Sequence, residues 1–445
     1  MCSICAGNLS CGVRDGGGGD EVGLVENNES PPMPLSDTTK TLATNLVAYG
    51  ASEVAAKASR LLVVIAVART LDLTEIGIAA SAMAAGDILK ALTENGVGQR
   101  IIAASDDALE ATCTAARRIF WVWCFGLFAL QAVIAGALYL SGGSALLAGL
   151  IVLMGLEYLF MPAGLVQVAL AMRAGKLRQT AAIGGVQVVG ANLLSILLVL
   201  VYPSAIALIL PRVLSAPIWL FAVRALHPWS AKAGVTAAPL RPFIDYGWAV
   251  LGIEVVKVLR LQGDKIVVGM TMGPQALGLY FMAFNAGLSL SNAFSTAFST
   301  VLFPHLSQSR DPAAAMRQSV RVGLALIAPV VILQSALAPL YVPLLLGEGW
   351  EEVAPLVSIL CLVAIPTTLW ATAAGWLRVQ GKPQVELWMT CALALAVLAS
   401  TLLLAPFGLF AMATGYLVFT GGLMVLGALA TLHIDLFPSY QQVQS

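Results

Sequence analysis

Apolar runs long enough to cross a bilayer follow one another from residue 43 to residue 432, separated by brief polar or Gly/Pro-rich punctuation. A crossing helix needs roughly 20 mostly apolar residues. On that measure the pattern predicts twelve helices, over residues 43–69, 75–98, 118–140, 144–171, 179–202, 204–224, 243–271, 275–302, 319–343, 353–377, 385–405 and 407–432. The first and seventh carry charges. The sixth carries Pro211 and Pro217, which a membrane helix tolerates where neighbouring groups satisfy the freed backbone.

The punctuation alternates in charge. Even-numbered connections hold Arg100, Arg117 and Arg118; Arg173, Lys176 and Arg178; Arg224, Lys232 and Arg241; Arg310, Arg317 and Arg321; and Arg378 with Lys382. Of the odd-numbered connections, "SGGS", "YPSA", "MGPQ" and "APFG" have no basic residue, "GEGWEEVAP" is acidic, and Arg69 borders the first. Lys and Arg accumulate on the cytoplasmic side of membrane proteins, so both termini and all even connections are expected there. A missed span would invert every later loop, so the regular alternation supports the count. The external connections are all short and leave no room for an external catalytic domain.

The halves of the chain resemble each other. "TLDLTEIGIAASAMAAG" (70–86) aligns with "TMGPQALGLYFMAFNAG" (271–287), with identities at Thr70/Thr271, Gly77/Gly278, Ala82/Ala283, Ala85/Ala286 and Gly86/Gly287. The same offset sets Glu53 over Glu254, and "MRAGK" (172–176) resembles "RVQGK" (378–382). Two repeats of six helices enter the membrane in the same orientation and are related by an axis along its normal, as in parallel-repeat transporters. The expected division is a coreless cytoplasmic tail (1–40), a six-helix bundle (41–226), a cytoplasmic linker (227–242), a second six-helix bundle (243–434) and a short cytoplasmic tail (435–445).

Charge inside the spans is the candidate chemistry. Glu53, Lys57 and Arg60 share a face of the first helix; Glu254, Lys257, Arg260 and Asp264 share a face of the seventh. Asp87, Lys90, Glu157 and Arg212 also fall within spans. A charge at the bilayer centre costs at least ~2.5–3.5 kcal/mol, so these groups should face the bundle interior, water or each other. Two readings stand. Intramembrane acids and bases balance in number, so they can be ion pairs that lock the bundle. Alternatively, Lys57, Arg60, Arg212, Lys257 and Arg260 line a cationic cavity that binds an anionic headgroup, with Glu53, Asp87, Glu157 and Glu254 as ion-coupling candidates. Arg supplies bidentate phosphate contacts and Lys a mobile point charge.

Composition narrows the class. Of 445 residues, 59% are hydrophobic and 11% charged, against about 25% charged in soluble domains. With a mean hydropathy of +0.86, the chain reads as an all-α integral membrane protein. A formal net charge of zero gives no bulk attraction to nucleic acid, and three histidines make a His-based metal or catalytic centre unexpected. Residues 1–40 are rich in Gly, Pro and acidic residues and cannot bury a core. Cys2, Cys5 and Cys11 lie there, short of the four ligands of a structural zinc site. No apolar segment follows Arg14, so a signal peptide is not expected.

"LLVVIAVARTLDLTEIGIAASAMAAG" (61–86), "LQGDKIVVGMTMGPQALGLYFMAFNAG" (261–287), "VLFPHLS" (301–307) and the stretch 344–383 with Gly347, Trp350 and Gly381-Lys382 occur in a familiar order. This ordered set resembles the oligosaccharide flippase / polysaccharide transporter family of the MOP superfamily, over about residues 42–432. The resemblance implies a bacterial inner-membrane flippase without cofactor. It would translocate polyprenyl-pyrophosphate-linked saccharide repeat units for surface polysaccharide synthesis, alongside polysaccharide polymerase and export machinery. The competing expectations are a multidrug/cation antiporter of the same superfamily, with a more acidic and aromatic cavity, or an integral-membrane polysaccharide-synthesis enzyme, with a catalytic domain.

Overall fold

The computed structural model describes residues 56, 58–93, 95–232, 234–308, 312–347 and 349–436. Among the described residues every regular element is helical. In chain order they are α1 (58–70), α2 (Leu73–Ala91), α3 (Val97–Ala103), α4 (Leu109–Leu140), α5 (Ala145–Gly155), α6 (Glu157–Phe160), α7 (Pro162–Arg173), α8 (Leu177–Val201), α9 (Ala205–Leu226), α10 (Arg241–Gln308), α11 (Pro312–Leu346), α12 (Val353–Leu362), α13 (Ala364–Val379), α14 (Pro383–Leu404), α15 (Leu409–Gly415) and α16 (Gly422–Leu436).

Among the described residues, eight helices or helix runs are long and apolar enough to cross a membrane, and the bent α5–α7 run makes a ninth. One of the eight, α10, has two limbs. Gly273 interrupts that element with φ 84° and ψ 179°, a backbone conformation open to glycine and hostile to other residues. The "MGPQ" turn predicted between the seventh and eighth helices therefore sits where expected, and the chain doubles back there. Tyr280 in the second limb reaches Asp264 in the first across the hairpin. α1 and α2 are not among those apolar helices; α2 is a 19-residue helix carrying Glu75, Asp87 and Lys90.

Several predicted helices differ in detail. The fourth is broken: Met161 precedes Pro162 at the first position of α7, and the two parts meet at 53°. Proline there has no N–H to give, so the bend forms without losing a donor. The second stops at Ala91 and restarts as α3 after Gly96, rather than running to residue 98. The twelfth contains a π-helical turn, Tyr416–Gly421, between α15 and α16. Asp72 caps the start of α2 by accepting the Glu75 N–H at 2.8 Å.

The largest apolar cluster runs through both repeats. It joins Val64 and Val67 of α1, Ile76 of α2, Ile209 of α9, Met282 of α10, Val342 of α11, Trp350 and Leu360. Large apolar residues such as Val122, Val186, Trp248, Leu340 and Trp388 point outward. Outward-facing apolar side chains suit a lipid-facing surface and would be anomalous on a water-soluble one.

The basic loop residues also do local work. Arg173 donates to the carbonyls of Ile102 (2.8 Å) and Ala104 (2.5 Å) at the end of α3, and pairs with Asp106 at 2.6 Å. Lys176 donates to Leu226 O at 2.9 Å at the end of α9. Cations are favoured at helix C-termini, where carbonyls lack intrahelical partners. These loops thus hold helix ends together as well as carrying the charge bias.

Candidate functional site

α2, α9 and the first limb of α10 meet at one carboxylate. Asp87 Oδ1 accepts from Arg212 Nη1 at 3.0 Å, and Asp87 Oδ2 accepts from Gln262 Nε2 at 3.1 Å. At 1.5 Å per residue, Gln262 lies roughly 16 Å along α10 from Gly273 and Arg212 roughly 10 Å along α9 from Ala205. Both depths fall well inside a hydrocarbon layer of about 30 Å. The side chains of Arg212 and Asp87 nevertheless remain 35% and 29% exposed. The bridge is thus half-buried and still reachable, with each charge meeting its opposite.

Lys90 pairs with Glu157 beside this bridge. Glu157 is also within electrostatic reach of Arg212. Asp87, Glu157, Lys90 and Arg212 thus form a formally neutral group drawn from α2, α6 and α9.

Of the expected basic residues, Lys257 is halfway between Arg241 and Gly273 and is paired with Glu254 at 2.7 Å, one turn away on the same helix. That favours the ion-pair reading for this residue. Arg260, one turn further, is half-buried and keeps a buried Nε without a hydrogen-bond partner. Arg60 is exposed on α1. Lys57 and Glu53 lie outside the described residues. Among the described acidic candidates, Asp87, Glu157 and Glu254 each have a cation partner. The structure brings Asp87, Glu157 and Arg212 together and leaves Lys257 and Glu254 as a separate pair.

A second buried polar group went unrecognised as a unit in the sequence. Asp264, the last residue of the stripe, and its neighbour Lys265 are almost fully buried, with side chains 1% and 6% exposed. Asp264 accepts from the Tyr280 hydroxyl at 2.8 Å and from the Lys265 backbone N–H at 2.9 Å. The Lys265 ammonium lies 3.4 Å from Asp264, donates to Leu261 O at 2.6 Å and sits 3.7 Å from the centre of the Phe284 ring. The carboxylate and the ammonium thus face each other with hydrogen-bond partners on both sides. Gln262 was also missed: a lone glutamine between charged neighbours has no periodic signal. The Asp264–Tyr280 pair could have been found by placing both residues at similar distances from the Gly273 turn.

The connections at one end of the bundle hold α1 to the end of α11 and to Trp350. Arg69 donates to the carbonyls of Leu344 (3.0 Å) and Leu345 (3.2 Å) at the C-terminal end of α11. Trp350 Nε1 donates to Ala68 O at 2.9 Å. Beside them is a cavity of about 440 Å³ lined by Asp72, Thr74, Gln275 and Trp350, among others. Another, of about 500 Å³, is lined by Pro339, Pro343, Glu351, Pro355 and Phe410. Neither is lined by the basic candidates. At the opposite ends of the helices, Tyr246 of α10 hydrogen-bonds Gln99 of α3.

A profile described as polysaccharide biosynthesis protein matches residues 66–355, well over half the chain. The amylovoran biosynthesis protein AmsL of Erwinia amylovora is 23% identical over 147 residues, 32% of this chain and 38% of that protein. The lipopolysaccharide biosynthesis protein WzxC of Escherichia coli K12 is 21% identical over 132 residues, 29% of this chain and 27% of that protein. The matched regions span well under half the length of these relatives. Among solved structures, the lipid II flippase MurJ in an inward closed conformation superposes with a TM-score of 0.73 at 12% identity, over 87% of each chain. An inward-facing multidrug resistance MATE family transporter of the MOP superfamily gives 0.60 at 12% identity, over 87% of this chain and 93% of that one. The fold is that of MOP-superfamily transporters, as the ordered motifs led us to expect.

Proposed function

Because the chain belongs to the polysaccharide biosynthesis protein family, we propose that it is a flippase for polyprenyl-pyrophosphate-linked oligosaccharide repeat units. It moves them from the cytoplasmic to the periplasmic leaflet of a bacterial inner membrane. The carrying observation is Arg212, held by Asp87 at 3.0 Å where α2, α9 and the first limb of α10 meet, with its side chain still 35% exposed. A guanidinium there can take a phosphate with two parallel hydrogen bonds. Arg260 adds a buried N–H that awaits an acceptor. The names of AmsL and WzxC, and the lipid II substrate of MurJ, point to the same chemistry.

In this reading the bundles 41–226 and 243–434 rock about the repeat axis, with both termini cytoplasmic, and the saccharide crosses between them. The polyprenyl tail stays in the bilayer, and polymerase and export machinery take the unit on the far side. No bond is made or broken, so the protein works as a transporter and needs no cofactor.

The test is the leaflet that holds lipid-linked repeat units after removal of the gene. Accumulation on the cytoplasmic side supports the flippase. Complete absence of the units would indicate a synthetic enzyme, and unchanged export with altered drug tolerance would indicate a multidrug antiporter. Arg212→Gln should reproduce the deletion while the protein still accumulates in the membrane.

A further inference from the structure

Asp87 is the one residue whose two carboxylate oxygens serve two different helices inside this cluster. Oδ1 holds Arg212 of α9 and Oδ2 holds Gln262 of α10. Arg212 offers Asp87 a single nitrogen, short of the two-pronged grip that guanidinium groups give carboxylates and phosphates. The hold is open to competition from a better anion, and both side chains are accessible enough to meet one.

We infer that Asp87 is the counter-anion that substrate phosphate replaces on Arg212, and that Gln262 couples this exchange to the separation of α2 from α10. The inference rests on the flippase reading and deepens it. With Asp87, Glu157, Lys90 and Arg212 neutral as a group, an entering pyrophosphate makes the site net negative. Two anions cannot share one guanidinium at close range without repulsion, which is strong where water is scarce. The phosphate takes both prongs of Arg212, and Asp87 withdraws. Lys90, one turn on along α2, is the cation within its reach on the same helix face. As Asp87 leaves, its Oδ2 leaves Gln262, and the polar link between α2 and the first limb of α10 opens. When the substrate leaves, Asp87 can regain Arg212 and Gln262, and the link between α2 and the first limb of α10 re-forms.

The experiment measures binding of a short-chain polyprenyl pyrophosphate to the full-length protein in lipid nanodiscs, in wild type and in D87N, Q262A and R212Q. D87N removes the competing charge, so binding should tighten roughly tenfold, the equivalent of about 1.4 kcal/mol. Q262A lowers the cost of separation and should tighten binding by a smaller factor, roughly threefold. R212Q should lose binding. Damage to a merely structural pair would weaken binding, so the sign decides. Folded D87N that binds as wild type does, or more weakly, overturns the exchange. Should D87N fail to fold, Q262A carries the test with the same sign rule. Wild type that binds no pyrophosphate at all overturns the flippase reading itself, and is thereby distinguished from failure of the exchange alone.

Discussion

Pro274 brings its carbonyl oxygen to 1.7 Å from where a Cβ on Gly77 would lie. The contact is reciprocal: a Cβ on Gly278 would meet the carbonyl oxygen of Leu73 at 2.3 Å. The repeat offset carries Leu73 onto Pro274 and Gly77 onto Gly278, so each repeat presents the same patch to the other, as subunits do in a two-fold interface. The shared glycines are therefore a packing requirement at the crossing of α2 with α10.

Gly77→Ala and Gly278→Ala should each force these backbones apart. Overpacking of this kind typically costs about 1–3 kcal/mol. Each variant is expected to lower thermal stability in detergent, while Gly136→Ala on α4, where a Cβ meets nothing within 4 Å, should not. Wild-type melting of both crossing variants would show that the helices do not approach this closely.

How far the sequence reveals this arrangement depends on which force sets each feature. Most of the long apolar spans and the Gly273 turn were legible, because transfer out of water and a positive φ are properties of single residues and short runs. The 53° bend beside Pro162 and the π-turn at Tyr416–Gly421 were not, because proline permits a bend without dictating one and a π-turn answers to neighbours. Hydropathy could say that Asp87 and Arg212 avoid lipid. It could not say that they meet, since residues 125 apart are joined only by the packing of α2 on α9. Gln262 was invisible for the same reason.

Tyr280→Phe isolates the worth of the buried Asp264 group. It keeps the ring and removes the hydroxyl that donates to Asp264 Oδ2. Leaving a buried acceptor without its donor costs about 1–3 kcal/mol. Asp264→Ala should be worse, since it strands the almost fully buried Lys265; breaking one side of a buried pair costs about 3–5 kcal/mol. Size-exclusion profiles after stepwise heating should rank wild type above Tyr280→Phe and that above Asp264→Ala. A Tyr280→Phe protein as stable as wild type would mean that water or another donor replaces the hydroxyl.

At the end expected to face outward, Arg69 is the strut between α1 and α11. Its two bonds to Leu344 and Leu345 are exposed, so Arg69→Ala should cost only about 1 kcal/mol of closure. That is enough to change the fraction of open molecules several-fold. A cysteine placed at Leu73, on the wall of the 440 Å³ external cavity, should react faster with a membrane-impermeant maleimide in the Arg69→Ala background. An unchanged labelling rate would show that Trp350 and its bond to Ala68 hold this end shut alone.

The end of the bundle opposite Arg69 offers the opposing variant. Tyr246→Phe removes the hydroxyl that meets Gln99, one link between α3 and the start of α10. If the protein alternates between openings on the two sides, Arg69→Ala biases it outward and Tyr246→Phe biases it inward. The two residues sit at opposite ends of their helices and share no partner, so their effects on the equilibrium should add. The single variants should then shift maleimide labelling at Leu73→Cys in opposite directions, and the double variant should return it toward the wild-type rate. Both singles shifting it in the same direction would mean that the two ends loosen together. The closed form would then be a single locked state, with no balance between inward and outward openings to tip.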